Sequence, residues 1–167
     1  IDENCQIALG HQRLSILDLS SAGHQPMHSA CNRFVMVFNG EIYNHLEIRD
    51  KLQRISHQLL DWRGHSDTET LLAAFVNWGI EKTLKACVGM FSIALWDRQE
   101  NVLTLVRDRM GEKPLYYGWR GNTFMFASEL KALKVHPDFN GEIDRQSLSL
   151  LLSFNYIPAP NSIYRGI

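Results

Sequence analysis

Much of what would make a sequence easy to place is missing here. The 167 residues contain three cysteines, Cys5, Cys31 and Cys87. They are odd in number and far apart, which argues against a disulfide framework and for reduced thiols in a cytoplasmic setting. No apolar run approaches the length needed to cross a bilayer, so no membrane partner is expected. Net charge is −1 with both signs interspersed, leaving no basic footprint for nucleic acid. There is no G-x-S-x-G elbow, no phosphate-binding P-loop and no dinucleotide glycine pattern. Internal repeats, low-complexity tracts and a signal peptide are also absent. The chain opens on Ile1 without an initiator methionine and closes abruptly at Ile167, which reads as a segment of something longer.

What is present reads as an ordinary globular domain, 45% hydrophobic and 21% charged, long enough to bury a core. Apolar residues at Ile7, Leu9, Leu14, Ile16, Leu17 and Leu19 suggest extended chain, followed by a polar loop from Ser20 to Arg33. Phe34 to Phe38 is apolar on both faces and predicts a buried strand. Leu46, Ile48, Leu52 and Ile55 mark a helix over 45–55. Ser66-Asp67-Thr68-Glu69 has the capping-box form, with the serine and glutamate each bonding a backbone N–H, and predicts a helix running to Gly79. A short helix over 80–87 follows.

From Met90 the period becomes that of strands, joined at Asp97 to Asn101. Leu115–Trp119 and Thr123–Phe126 form a second pair around Arg120-Gly121-Asn122. Helices over 128–135 and 144–154 close the pattern, and the proline-bearing stretch 157–167 reads as a linker. The expected class is α+β with two largely antiparallel sheets and helices outside them.

Among candidate chemistries, His24, His28 and Cys31 lie at spacings that superficially suit a metal, but they have no second ligand pair and no metal is expected. The cysteines have no base beside them in sequence and are expected to act as small buried hydrophobes. Three polar clusters remain: Arg13, Asn39-Gly40-Glu41, and Asp67. A guanidinium can clamp an α-carboxylate in two parallel bonds. Carboxylates at Glu41 and Asp67 suit an α-ammonium. The Asn39 amide and Gly40 N–H can form an oxyanion hole. Asn39-Gly40 can equally be a tight turn joining two strands of a hairpin.

The stretches GHQRLSILDLSSAGHQPM, NGEIYNH, HSDTETLL, GMFSIALWD, RDRMGEKPLYYG and FASELKAL, in that order, resemble the glutamine amidotransferase domain of the asparagine synthetase family. This domain is a class II, N-terminal-nucleophile hydrolase. The resemblance implies two antiparallel sheets sandwiched between helices in an αββα arrangement. It implies that Asn39 and Gly40 form the oxyanion hole. Arg13, with Leu14, Ser15, Ile16 and Leu17 lining the pocket, then binds the glutamine carboxylate, and Glu41 and Asp67 surround its α-amino group.

In that family an N-terminal cysteine, with its own α-amine as base, forms a glutamyl-thioester and releases ammonia. A downstream synthetase domain, using ATP and Mg²⁺, amidates aspartate. Residue 1 here is isoleucine, and no cysteine matches the nucleophile. The resemblance therefore implies residues 1–156 as an amidotransferase domain lacking its N-terminal segment and inactive alone, with 157–167 leading into a synthetase domain. A non-catalytic binding or regulatory domain of the same fold is the alternative, as is an acceptor other than aspartate, such as a polysaccharide precursor. Homodimerisation stays open.

Overall fold

The computed structural model describes residues 1, 5–12, 18, 20–55 and 60–167. The expected pocket strip Arg13 to Leu17 lies outside the described residues. The chain divides into two compact units, Ile1–Lys113 and Pro114–Ile167.

In the first unit a four-stranded antiparallel sheet is built in the order β1-β2-β3-β4. β1 is Met27–His28, β2 is Phe34–Ile42, β3 is Gly89–Asp97 and β4 is Val102–Arg107. Between β2 and β3 come three helices: α1 (His45–Ile55), α2 (Asp67–Trp78) and α3 (Ile80–Ala86). Side chains alternate across a strand. Phe34, Met36, Phe38 and Ile42 of β2 therefore share a face with Phe91, Ile93 and Leu95 of β3, to which the register joins them. That face forms one core with Ile48 and Leu52 of α1 and with Leu71, Leu72 and Phe75 of α2. The opposite face carries Val35, Val37, Asn39 and Glu41 beside Ser92, Ala94 and Trp96.

β2 is longer than its apolar run suggests. It continues without interruption from Phe34 to Ile42, with Asn39 opposite Ser92, Gly40 opposite Phe91 and Glu41 opposite Met90. Asn39-Gly40 is thus strand interior, and the hairpin-turn reading is excluded. The reason glycine is needed is steric. A Cβ at Gly40 would fall onto the Met90 carbonyl oxygen and lie 2.7 Å from the Phe91 Cα.

The second unit holds a hairpin, β5 (Tyr116–Arg120) with β6 (Thr123–Ala127), followed by α4 (Leu130–Lys134), which packs on β6, and α5 (Arg145–Phe154). α5 is capped by the Asp144 carboxylate, which accepts from the Ser147 N–H at 2.8 Å. The stretch 157–167 is bonded along its length. Asp144 N–H donates to the Ile163 carbonyl, Arg165 N–H donates to Glu142, and the buried Arg120 guanidinium donates to the Arg165 carbonyl. The class is α+β, with antiparallel sheets flanked by helices.

Candidate functional site at the open edge of the second strand

A strand in an antiparallel ladder turns its peptide groups alternately to its two neighbours. On β2 the Phe34 carbonyl accepts from Ser29 N–H, on the side of β1. By period two, Met36, Phe38, Gly40 and Ile42 turn the same way. β1, however, is only two residues long and pairs only with Met36 and Val35. Continuing that register would set Gln25 opposite Phe38 and Gly23 opposite Gly40.

The chain does neither with its backbone. Gly23 and His24 spend their N–H groups in a 3-10 turn, donating to the Ser20 and Ser21 carbonyls at 3.2 Å each. The Gln25 side chain substitutes for the lost strand. Its amide accepts from Phe38 N–H at 2.7 Å and donates to the Phe38 carbonyl at 3.1 Å. Two residues beyond Gly40, Ile42 N–H donates to the Asp67 carboxylate at 3.0 Å. Gly40 is bracketed between these two side-chain caps, and among the described residues its N–H turns into a gap between them.

Asp67 is held there by its helix. Ser66 caps α2 by accepting from Glu69 N–H at 3.2 Å, as its motif predicts. The other half of the capping box is different. The Glu69 carboxylate does not return to Ser66 but accepts from Arg63 N–H at 2.8 Å and Gly64 N–H at 3.0 Å. Arg49 and Arg63 approach the same carboxylate at 3.7 and 3.5 Å. Just before the cap, His65 N–H donates to Asp18 at 2.8 Å. The Ser20 hydroxyl and this N–H draw the Asp18 pKa down to about 2.

One Asp67 oxygen bonds Ile42 and the other accepts from Thr68 N–H at 2.8 Å. A carboxylate has further lone pairs for a cation. Burial pushes the Asp67 pKa up, and the negative Glu41 nearby adds to this; the two backbone N–H bonds and His45 work against it. Glu41 itself is exposed on the strand. The structure therefore brings Asn39, Gly40, Glu41 and Asp67 together at one end of β2. The contributions of Gln25, Asp18 and Glu69 were not legible in the sequence. Gln25 sits beside a proline in a polar loop, and only the register of a two-residue strand reveals its part.

The expectation of buried, hydrophobe-like cysteines is corrected for two of the three. Cys5 is exposed and its thiol donates to the Asn101 side chain at 3.2 Å. Cys31 is exposed in the β1–β2 turn, where a contact with the Ser29 hydroxyl lowers its pKa. Both turns belong to the Phe34–Asp97 end of the sheet. Asn39 and Ser92 are five residues further along, roughly 17 Å at ordinary strand rise. Cys87 is partly buried, and desolvation raises its pKa to about 11. None is placed as an activated thiol at Gly40.

Comparison with known proteins agrees with the geometry. A glutamine amidotransferase domain family model matches residues 1–167. A putative glutamine-hydrolysing asparagine synthetase of Methanocaldococcus jannaschii is 35% identical over 180 residues, covering 98% of this chain and 34% of that protein. Asparagine synthetase 3 of Bacillus subtilis is 36% identical, covering 96% of this chain and 26% of its own length. The chain thus spans about a quarter to a third of these relatives. A phosphoribosylpyrophosphate amidotransferase structure from B. subtilis superposes with a TM-score of 0.55 over 66% of this chain and 26% of that one, at 23% identity, a likeness of fold. The chain therefore belongs to the glutamine amidotransferase domain family.

Proposed function

We propose that this chain is the glutamine-binding part of an asparagine-synthetase-like amidotransferase, supplying ammonia to an ATP-dependent amidation carried by another part of a longer polypeptide. The observation that carries the reading is the open Gly40 edge. It offers an N–H in the sheet plane, the Asn39 amide standing off the adjoining face, and two carboxylates, Glu41 and Asp67, at the same strand end. A carbonyl oxygen at that edge on the Asn39 side can meet both donors, and an α-ammonium can meet the carboxylates. Arg13 supplies the carboxylate clamp in this reading. Aspartate as acceptor, with ATP and Mg²⁺ serving its activation, belongs to the same proposal, as does a cytoplasmic location. Among the described residues no helix is long and apolar enough to cross a membrane.

The second reading is a binding or regulatory module of the same fold; Cys5, Cys31 and Cys87 all stand away from the oxyanion site. Titration of residues 1–167 with glutamine, alongside an ammonia-release assay, tests both. Saturable glutamine binding with ammonia at background is expected. No binding would remove the glutamine reading. Turnover that survives Cys5→Ala and Cys31→Ala would show that a nucleophile has been overlooked.

A further inference from the structure

We propose that Gln25 is a positioning residue for the oxyanion site, ending the β1–β2 ladder with its side chain so that the Gly40 N–H stays open and aimed at a substrate carbonyl. The inference rests on the glutamine-binding reading. Its basis is the register. Backbone pairing carried two residues past Met27 would occupy Phe38, and carried two further it would put Gly23 against Gly40 and consume the N–H the chemistry needs. The Gln25 side chain takes the Phe38 groups in place of a backbone pair, and the 3-10 turn at Ser21–Gly23, which uses the Gly23 N–H, prevents the second.

Stopping the ladder exposes an edge, and an uncapped Phe38 peptide group buried there would be costly. The Gln25 amide carries a donor and an acceptor in one plane, as a peptide does, and is itself buried at 7% exposure. It satisfies both Phe38 groups at 2.7 and 3.1 Å. Asn is the only other side chain with that paired amide geometry, and it is one methylene shorter. Gly40 is the next outward-facing peptide. Its orientation is thus fixed on one side by Gln25 and on the other by Asp67 at Ile42.

The test uses the chain labelled with ¹⁵N, with glutamine as the probe. In the wild type, saturating glutamine should displace the Gly40 amide resonance. Gln25→Glu keeps the acceptor for Phe38 N–H and loses the donor to its carbonyl; Gln25→Met, similar in shape, loses both. Both variants are expected to bind glutamine within threefold of wild type, through Asp67, Glu41 and Arg13. The Gly40 displacement should fall to half or less in Gln25→Glu and further in Gln25→Met. If Gln25→Met does not fold, Gln25→Glu decides alone. A folded Gln25→Glu protein showing the full wild-type displacement would overturn the proposal, since a role in stability alone lowers the melting temperature without changing that response. Absence of glutamine binding in the wild type would instead count against the function on which it rests.

Discussion

Asn39, Gly40 and Asp67 are adjacent in space and yet answer to different physics. Gly40 is required by close packing: a methyl there meets the β3 backbone, which cannot step aside as a flexible side chain would. Gly40→Ala is therefore expected to destabilise the fold by about 1–3 kcal/mol, the ordinary range for overpacking. A denaturant midpoint close to wild type would show that β3 yields. Asn39 sits in extended strand, half-buried, where alanine introduces no backbone strain. Asn39→Ala should leave the melting temperature within a few degrees. In a longer polypeptide that hydrolyses glutamine it should lower kcat by on the order of 10²–10³, the usual loss for one oxyanion donor, with little change in KM. Equal losses in stability and rate would make Asn39 a structural residue.

Asp67 adds a pH dependence. Its folded pKa lies above the ordinary 3.8. Between 3.8 and the raised value the folded state keeps a proton that the unfolded chain has released, so stability declines as pH rises across that interval and levels off above it. An α-ammonium favours the ionised carboxylate, so glutamine binding should release a proton there. Affinity should weaken, as pH is lowered, at a higher pH than an unperturbed aspartate would give. Asp67→Asn should flatten this pH profile and weaken binding by about 1.5–3 kcal/mol, the worth of a bond to a charged group. Titration calorimetry between pH 4 and 7 on both proteins checks it.

At the scale of elements, the N-terminus of α2 is where local sequence and tertiary structure meet. The Ser66 cap is a local signal and works as one. Glu69 serves a longer reach: it folds the preceding loop by collecting the Arg63 and Gly64 N–H groups, while Arg49 of α1 donates to the Gly64 carbonyl at 2.6 Å and stacks over Trp62. Ser66→Ala should cost about 1 kcal/mol, as for caps generally. Glu69→Ala should cost more, because it leaves two backbone N–H groups without their acceptor and removes the countercharge beside a partly buried arginine. Equilibrium unfolding of the two variants side by side tests the order, and a smaller loss for Glu69→Ala would contradict this account of the loop.

At the scale of the whole chain, each of the two units has its own means of cohesion. The first relies on the apolar face shared by the sheet, α1 and α2. The second, shorter and with more of its apolar side chains exposed, relies on backbone bonding around Arg120. Arg120 is buried, at 9% exposure, and its guanidinium donates to the Trp119 and Arg165 carbonyls and lies over the Phe139 ring at 5.5 Å. Arg120→Ala should accelerate amide hydrogen exchange at Tyr164, Arg165 and Ile167, whose N–H groups are bonded within this segment. Unchanged protection there would mean that Ser162 and Glu142 hold the segment unaided.

The elements whose apolar spacing is self-sufficient were legible in the sequence. α1 spans His45–Ile55 as its stripe predicts, α2 starts at its serine cap and stops before Gly79, and the two hairpins fall where the strand period appears. These signals depend on neighbours a few residues apart, so the sequence alone determines them. It also supplied the resemblance that singles out Asn39, Gly40, Glu41 and Asp67. What it could not decide is how the site is held. The end of β2 at Ile42 rather than Phe38 depends on pairing with β3, some 50 residues away. The gap at Gly40 depends on a ladder that stops at Met27 and on caps from Gln25 and Asp67, drawn from a loop and a helix that meet only in the folded chain. Hydrogen bonds between distant segments leave no period in a sequence, and so the tertiary structure alone decided where this strand edge would stand open.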